Sequence, residues 1–209
     1  MKKTIFTTIV AICMAFFSFA NDFEGIIVQS YYDGASNQSI EMEWYISGNE
    51  IKLVMNGGGE EITFLTKDEQ MIVLSERQVT EDGQSYFYRL AASEIKTTIN
   101  TDINAIILDE EKLLNDVEIE VGGSVNGTIT YNTAIDISMD YFGSFFKSNY
   151  EFLILANLNI DQFPVSSQLK NSNGVLISYI ETTSIVEEKL AEEEFAIPAD
   201  MIDADTLNE

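Results

Sequence analysis

A period of two restricts this chain more than any other feature. Ile40, Met42, Trp44 and Ile46 alternate with Glu41, Glu43, Tyr45 and Ser47. Successive side chains of a strand point to opposite faces, so this run predicts a strand with one buried face and one wet face. Gly48-Asn49 then allows only a tight reversal, and Ile51, Leu53 and Met55 resume the alternation. Further β-branched and aromatic runs cover Phe23 to Tyr32, Ile62 to Leu65, Met71 to Leu74 and Ser85 to Leu90. They are separated by Asp33 to Asn37, by Gly57-Gly58-Gly59, by Thr66 to Glu69 and by Thr80 to Gly83. Connections this short join antiparallel neighbours, because a parallel crossover needs about a dozen residues or more.

The middle of the chain is less regular. Ile103 to Leu114 reads as strand–turn–strand around Asp109-Glu110-Glu111-Lys112, with a short helix as the alternative. Val117 to Val121 alternates again, and Thr128 to Met139 predicts another strand. The period then changes. Phe142, Phe145, Phe146, Tyr150, Leu153 and Ile154 recur at spacings of three and four, predicting an amphipathic helix over roughly Tyr141 to Leu158 with Asp140 as N-cap. Two strands follow, Ser166 to Asn171 and Val175 to Ser184, around Asn173-Gly174, a strong hairpin signal. The fold class is therefore mainly β, in one domain spanning residues 21–200.

The N-terminus predicts export. Lys2 and Lys3 precede the uncharged apolar run Thr4 to Phe19, and Ser18-Phe19-Ala20 offers small residues before a cut between Ala20 and Asn21. Residues 1–20 thus read as a cleaved signal peptide, the apolar run being shorter than the roughly 20 residues that cross a bilayer. The lipoprotein alternative, with Cys13 lipidated, fits poorly, because Ile12 is bulky and the apolar run continues beyond Cys13. The mature chain has no transmembrane span in this reading, and its destination is periplasmic, outer-membrane-associated or extracellular.

Charge and absences exclude several chemistries. Removing Lys2 and Lys3 from eleven basic residues leaves nine against 35 acidic ones, a formal charge of −26. Such a chain repels nucleic acid and anionic membranes. It has no histidine, and its single cysteine, Cys13, leaves with the signal. Ser-His-Asp and Cys-His nucleophile systems and His- or Cys-based zinc sites are excluded. No catalytic residue, metal site or cofactor is expected. Asp200, Asp203 and Asp205 lie close in sequence but form no calcium loop. Residues 201–209 read as an acidic, disordered tail.

One candidate site emerges. Met42, Trp44, Met55 and Phe64 share the inward phase of their strands, and Phe142, Phe145, Phe146 and Tyr150 form the helix stripe. Met-rich aromatic linings suit hydrophobic ligands, and they equally make ordinary cores. A second feature is Phe195-Ala196-Ile197-Pro198, an apolar island between Glu194 and the acids beyond. Phe195 and Ile197 are expected to pack on the domain, with Ala196 facing out and Pro198 ending the segment.

An ordered set of short motifs resembles a known family. Phe163-Pro164-Val165, a strand, Asn173-Gly174, a second strand and Phe195-Ala196-Ile197-Pro198 follow one another, and Trp44 to Ile51 supplies an aromatic strand with a Gly-Asn turn. The set resembles an uncharacterised family of exported bacterial proteins, a domain of unknown function, similar to the LolA-like periplasmic lipoprotein-carrier fold. The resemblance implies a curved antiparallel sheet or unclosed β-barrel with a helix over the concave face. It implies a Pro-containing turn after the helix and a Phe-x-Ile-Pro segment that closes the domain. Around residues 91–135 the family's cysteine-bearing motif is replaced by Gly122-Gly123 and Gly127-Thr128. The implied function is a non-catalytic carrier of a lipid, an acyl chain or a lipoprotein. The alternative is a structural or protein-interaction module of the cell envelope with a filled core.

Overall fold

In the computed structural model, described residues are 23–91 (without 35, 49, 68 and 69), 105–107, 116–121, 125–136, 151, 154, 155, 158 and 160–208. The signal segment, with Ala20 and Asn21, lies outside them, as do Phe142, Phe145, Phe146 and Tyr150.

The short-spaced strands form one meander: β1 (Glu24–Asp33), β2 (Gln38–Ser47), β3 (Glu50–Gly57), β4 (Glu60–Lys67), β5 (Gln70–Val79) and β6 (Ser85–Ala91). A second set comprises β7 (Ala105–Ile107), β8 (Asp116–Val121), β9 (Val125–Asp136), β10 (Gln162–Asn171) and β11 (Leu176–Glu187), and a two-residue strand β12 (Ile202–Asp203) ends the series. All twelve belong to one sheet in the order β12-β6-β5-β4-β3-β2-β1-β11-β10-β9-β8-β7. The two meanders join where β11 returns to pair antiparallel with β1. β12 and β7 stand at opposite ends, so the curved sheet is not closed into a barrel.

Tight turns set the register. Ser47 pairs with Glu50 across Gly48, whose φ of 58° is the left-handed conformation this reversal requires. Antiparallel pairing then aligns like residues in rows. Ile27 faces Trp44, Trp44 faces Leu53, Leu53 faces Phe64 and Phe64 faces Val73, one apolar row across five strands. That row lies on the inner face, where Ile154 and Leu155, both helical and fully buried, join the same core cluster. Leu158 N donates to Ile154 O (3.0 Å) and Ile160 N to Leu155 O (2.9 Å), ending the helical turn.

The outer face is also partly covered. Leu65, Ile72, Leu74 and Phe87 form a second buried cluster, with Ile197 and Met201 packed against it. The chain reaches that face through a short 3-10 helix over Glu192–Phe195, whose Phe195 is buried.

Three expectations change. Residues 201–208 are not a trailing tail: Ile202 and Asp203 pair parallel with Tyr86 and Phe87 of β6, and a 3-10 turn covers Ala204–Asn208. The acids there are held because Asp203 meets Arg89 (2.5 Å) and Met201 has an apolar cluster to cover. β12 is also the exception to antiparallel pairing, reached by a long connection rather than a turn. Pro164 lies inside β10 rather than in a turn. It is buried where the β9–β10 register slips, between Pro164 and Ser166, and a slip is where a strand tolerates a missing N–H. Of the region 103–114, strand β7 is described, and residues 108–115 lie outside the described set.

Candidate functional site

Two places could carry function: the space between the sheet and the helical residues, and a groove on the outer face.

Among the described residues, the inner face of the sheet is packed by the chain's own side chains. Trp44 is fully buried, Met42 is 1% exposed and Phe64 5%. Met55 is half-buried and packs against the same cluster. The Trp44 indole meets Phe163 edge-on at 5.2 Å. These four residues of the expected ligand cavity are thus brought together as packed core, beside Leu53, Ile154 and Leu155. The other four, Phe142, Phe145, Phe146 and Tyr150, lie outside the described residues.

Among the described residues two polar networks run through this interior, and sequence reasoning missed both. The first satisfies backbone groups freed by irregular pairing. The register slips between Val28 and Gln29 on β1 and around Pro164 on β10. Irregular ladders leave carbonyls without strand partners, and buried carbonyls need donors. Gln29, fully buried, donates from Nε2 to Pro164 O (2.7 Å) and to Thr182 Oγ1 (3.0 Å). Its Oε1 accepts from Trp44 Nε1 (3.0 Å), and Thr182 Oγ1 donates to Val165 O (2.6 Å). The signal was available: Gln29 stands in the inward phase of β1 between Ile27 and Tyr31.

The second network centres on Glu151, a fully buried carboxyl on the helical turn. Ser167 Oγ of β10 and Ser178 Oγ of β11 both donate to Oε1, at 2.5 and 2.6 Å. Ser167 Oγ also accepts Ile180 N (3.0 Å). Oε2 has no hydrogen-bond partner. Burial pushes the Glu151 carboxyl above its ordinary value, against the two serine hydroxyls, which pull it down. A nucleophile would need access; Glu151 and Ser178 are fully buried and Ser167 is 5% exposed. The arrangement therefore ties the helical turn to two strands and offers nothing to a substrate in solvent. Glu151, Ile154, Leu155 and Leu158 sit at i, i+3, i+4 and i+7, so a carboxyl shares the helix's buried stripe.

The outer groove has a volume of about 400 Å³ and lies between β2–β5 and the C-terminal segment. Val54, Leu65 and Leu74 floor it, and Glu43, Glu61, Glu193 and Glu194 bring carboxylates to it. Ala196 and Pro198 line its far wall. Phe195 is 4% exposed and buried into the domain, Ile197 is half-buried on the outer cluster, and Pro198 is exposed at the groove. Lys52 Nζ lies 3.0 Å from Glu194 Oε2 and 4.5 Å above the Tyr45 ring. Tyr45 donates to Glu43 Oε2 (2.9 Å). Its phenol is pushed up to about 12, first by burial, then by the Glu43 hydrogen bond and the charges of Glu43, Glu194 and Glu61. Among the described residues no group of three acids is placed to hold a metal ion, and no helix is long and apolar enough to cross a membrane.

The architecture is a curved, open antiparallel sheet with helical residues on its inner face. No family model matches the sequence, and no curated protein does. Among solved structures, the chain is similar to the complex of MucA and MucB from Pseudomonas aeruginosa, at 9% identity and a TM-score of 0.44, covering 87% of this chain and 58% of that one. It is also similar to MucB in complex with MucA(peri), at 9% identity and a TM-score of 0.42, covering 87% of this chain and 56% of that one. The chain thus spans less than three fifths of each of these two chains.

Proposed function

We propose that this chain is an exported, non-catalytic interaction module of the cell envelope, which works through its surface rather than through a ligand cavity. The observation that carries the reading is the packing of the inner face among the described residues. Trp44, Phe163, Ile154 and Leu155, each with no exposed surface, belong to one packed cluster on the inner face, which supports a filled core over an acyl-chain cavity. The buried amide of Gln29 and the buried carboxyl of Glu151 add to the case, since unscreened polar groups disfavour a greasy ligand beside them. The lack of histidine supports a non-catalytic role. The basic and apolar N-terminus supports export, with cleavage between Ala20 and Asn21.

Native mass spectrometry and solvent extraction of the purified mature chain test this reading, alongside titration with a fluorescent fatty acid. The expected result is bare polypeptide mass, no extractable lipid and no saturable fatty-acid binding. Stoichiometric lipid in the purified protein would overturn it in favour of the carrier. N-terminal sequencing of the exported chain is expected to begin at Asn21.

A further inference from the structure

The outer groove has a lining that specifies its occupant. Its carboxylates outnumber its cations: Glu43, Glu61, Glu193 and Glu194 face a single lysine, Lys52. Lys52 is already committed to Glu194 and to the Tyr45 ring. It shows how the groove holds a cation, with a carboxylate on one side and an aromatic face on the other. Glu61, Glu193 and Glu43, whose Oε2 accepts the Tyr45 hydroxyl, remain for a second cation. Below the rim the floor is aliphatic, with Val54, Leu65 and Leu74. A long basic side chain matches this layering, because its methylene stem lies on apolar surface while its charged head reaches polar partners. A compact metal ion does not use an apolar floor. Anionic lipid and nucleic acid meet a rim of their own charge.

We propose that this groove binds an arginine- or lysine-bearing extended segment of a partner protein, with the basic side chain along Val54 and Leu74 and its head between Glu43, Glu61 and Glu193. The proposal rests on the interaction-module reading and names the chemistry of its partner.

Fluorescence anisotropy tests it directly. The probe is a labelled nonapeptide alternating arginine with leucine, titrated into the mature chain at low and at physiological salt. The control peptide has glutamate in place of arginine. Saturable binding of the arginine peptide alone is expected, weakening as salt rises. The paired substitutions Glu43→Gln and Glu61→Gln keep shape and hydrogen-bond acceptors and are expected to weaken binding about tenfold or more. Glu193→Gln gives an independent reading on the opposite wall. A control pair, Glu81→Gln with Asp82→Asn, removes equal charge from the exposed β5–β6 turn and is expected to change affinity less than about twofold, as screened distant charges do. Equal loss in the two pairs would mean attraction to bulk negative charge and would overturn the site. Absence of binding would overturn it too. A lipid-free chain that ignores the peptide removes this proposal and leaves the interaction-module reading standing. A lipid-loaded chain that binds the peptide does the reverse.

Discussion

Replacing Glu151 with glutamine should change how stability depends on pH, and the size of the change follows from the geometry. A carboxylate loses several kcal/mol of hydration when buried. Ser167 and Ser178 return part of this, since hydrogen bonds to a charged group contribute about 1.5–3 kcal/mol each. Both serve the same oxygen, and Oε2 has no partner. Burial therefore dominates, and the native carboxyl titrates above its ordinary value. An unfolded glutamate titrates near ~4.3. Below that value native and unfolded chains both hold the proton, and Glu151 is at its most favourable. Above it the unfolded chain releases the proton while the native chain keeps it. Stability then falls by up to about 1.4 kcal/mol per pH unit until the native carboxyl also titrates. Glutamine cannot titrate, and its carbonyl can accept both serine hydroxyls. Urea denaturation across pH, followed by the fluorescence of Trp44, the only tryptophan, measures both proteins. The wild-type minus Glu151→Gln difference is expected to be flat in acid, to fall through the window and to flatten again. The other carboxylates titrate in both proteins and cancel in that difference. Parallel curves would refute the reasoning. A wild type that gains on the variant as pH rises would refute it more sharply, by showing the buried carboxylate to be stabilised by a charge.

Other substitutions test the packing. Phe195→Ala is expected to destabilise by about 3–5 kcal/mol, as for a large side chain removed from a buried site; an unchanged urea midpoint would mean that the segment does not pack. Gln29→Leu keeps the volume but removes the acceptor of Trp44 Nε1 and the donor to Pro164 O, with an expected cost of about 2 kcal/mol at roughly 1 kcal/mol per lost hydrogen bond. Trp44 emission reports local disturbance in the same experiment. Gly127→Ala places a methyl 2.1 Å from Gln168 O across the β9–β10 pair, and a markedly lower melting temperature is expected.

The strands were legible because local signals specify them without help from the rest of the chain. Alternation along β2 and β3 and the Gly48 turn determine which residues face inward, and pairing of Trp44 with Leu53 follows from a two-residue reversal. Asn173-Gly174 marked the β10–β11 hairpin in the same way, with Gly174 at φ 76°. Non-local relations were not legible. The β1–β11 pairing joins residues 145 to 162 positions apart, from Asp33↔Ser178 to Gly25↔Glu187, and no turn announces it. The buried role of Gln29 depends on that pairing and on register slips at Val28 and Pro164, and that of Glu151 on the helical turn meeting Ser167 and Ser178 of the β10–β11 pair, none of which propensity encodes. Pro164 misled for the same reason: proline usually marks a turn, and only the neighbouring strand reveals a slip that accommodates it. The acidic C-terminus misled because composition counts charges without their partners, and Arg89 for Asp203 and Lys52 for Glu194 are distant in sequence.

The C-terminal segment links the stability of the domain to the groove. Glu193, Glu194, Ala196 and Pro198 form one groove wall, while Ile197 and Met201 seal the outer cluster and β12 extends the sheet beside β6. Removing residues 199–209 leaves every groove residue in place but takes away Met201, the β12 pairing and the Arg89–Asp203 contact. That contact is partly exposed and contributes at most about 1 kcal/mol. A half-buried methionine adds about 1–2 kcal/mol, so the truncation is expected to cost about 2–3 kcal/mol by urea denaturation. It should also loosen the wall that Pro198 ends, and so weaken the arginine probe although no contacting side chain is lost. Linkage requires the converse. Probe at a hundred times its dissociation constant should raise the unfolding free energy of the full chain by about 2.7 kcal/mol. A truncated chain with unchanged stability and unchanged probe affinity would show that the wall stands without β12, and would break the link between the sheet edge and the groove.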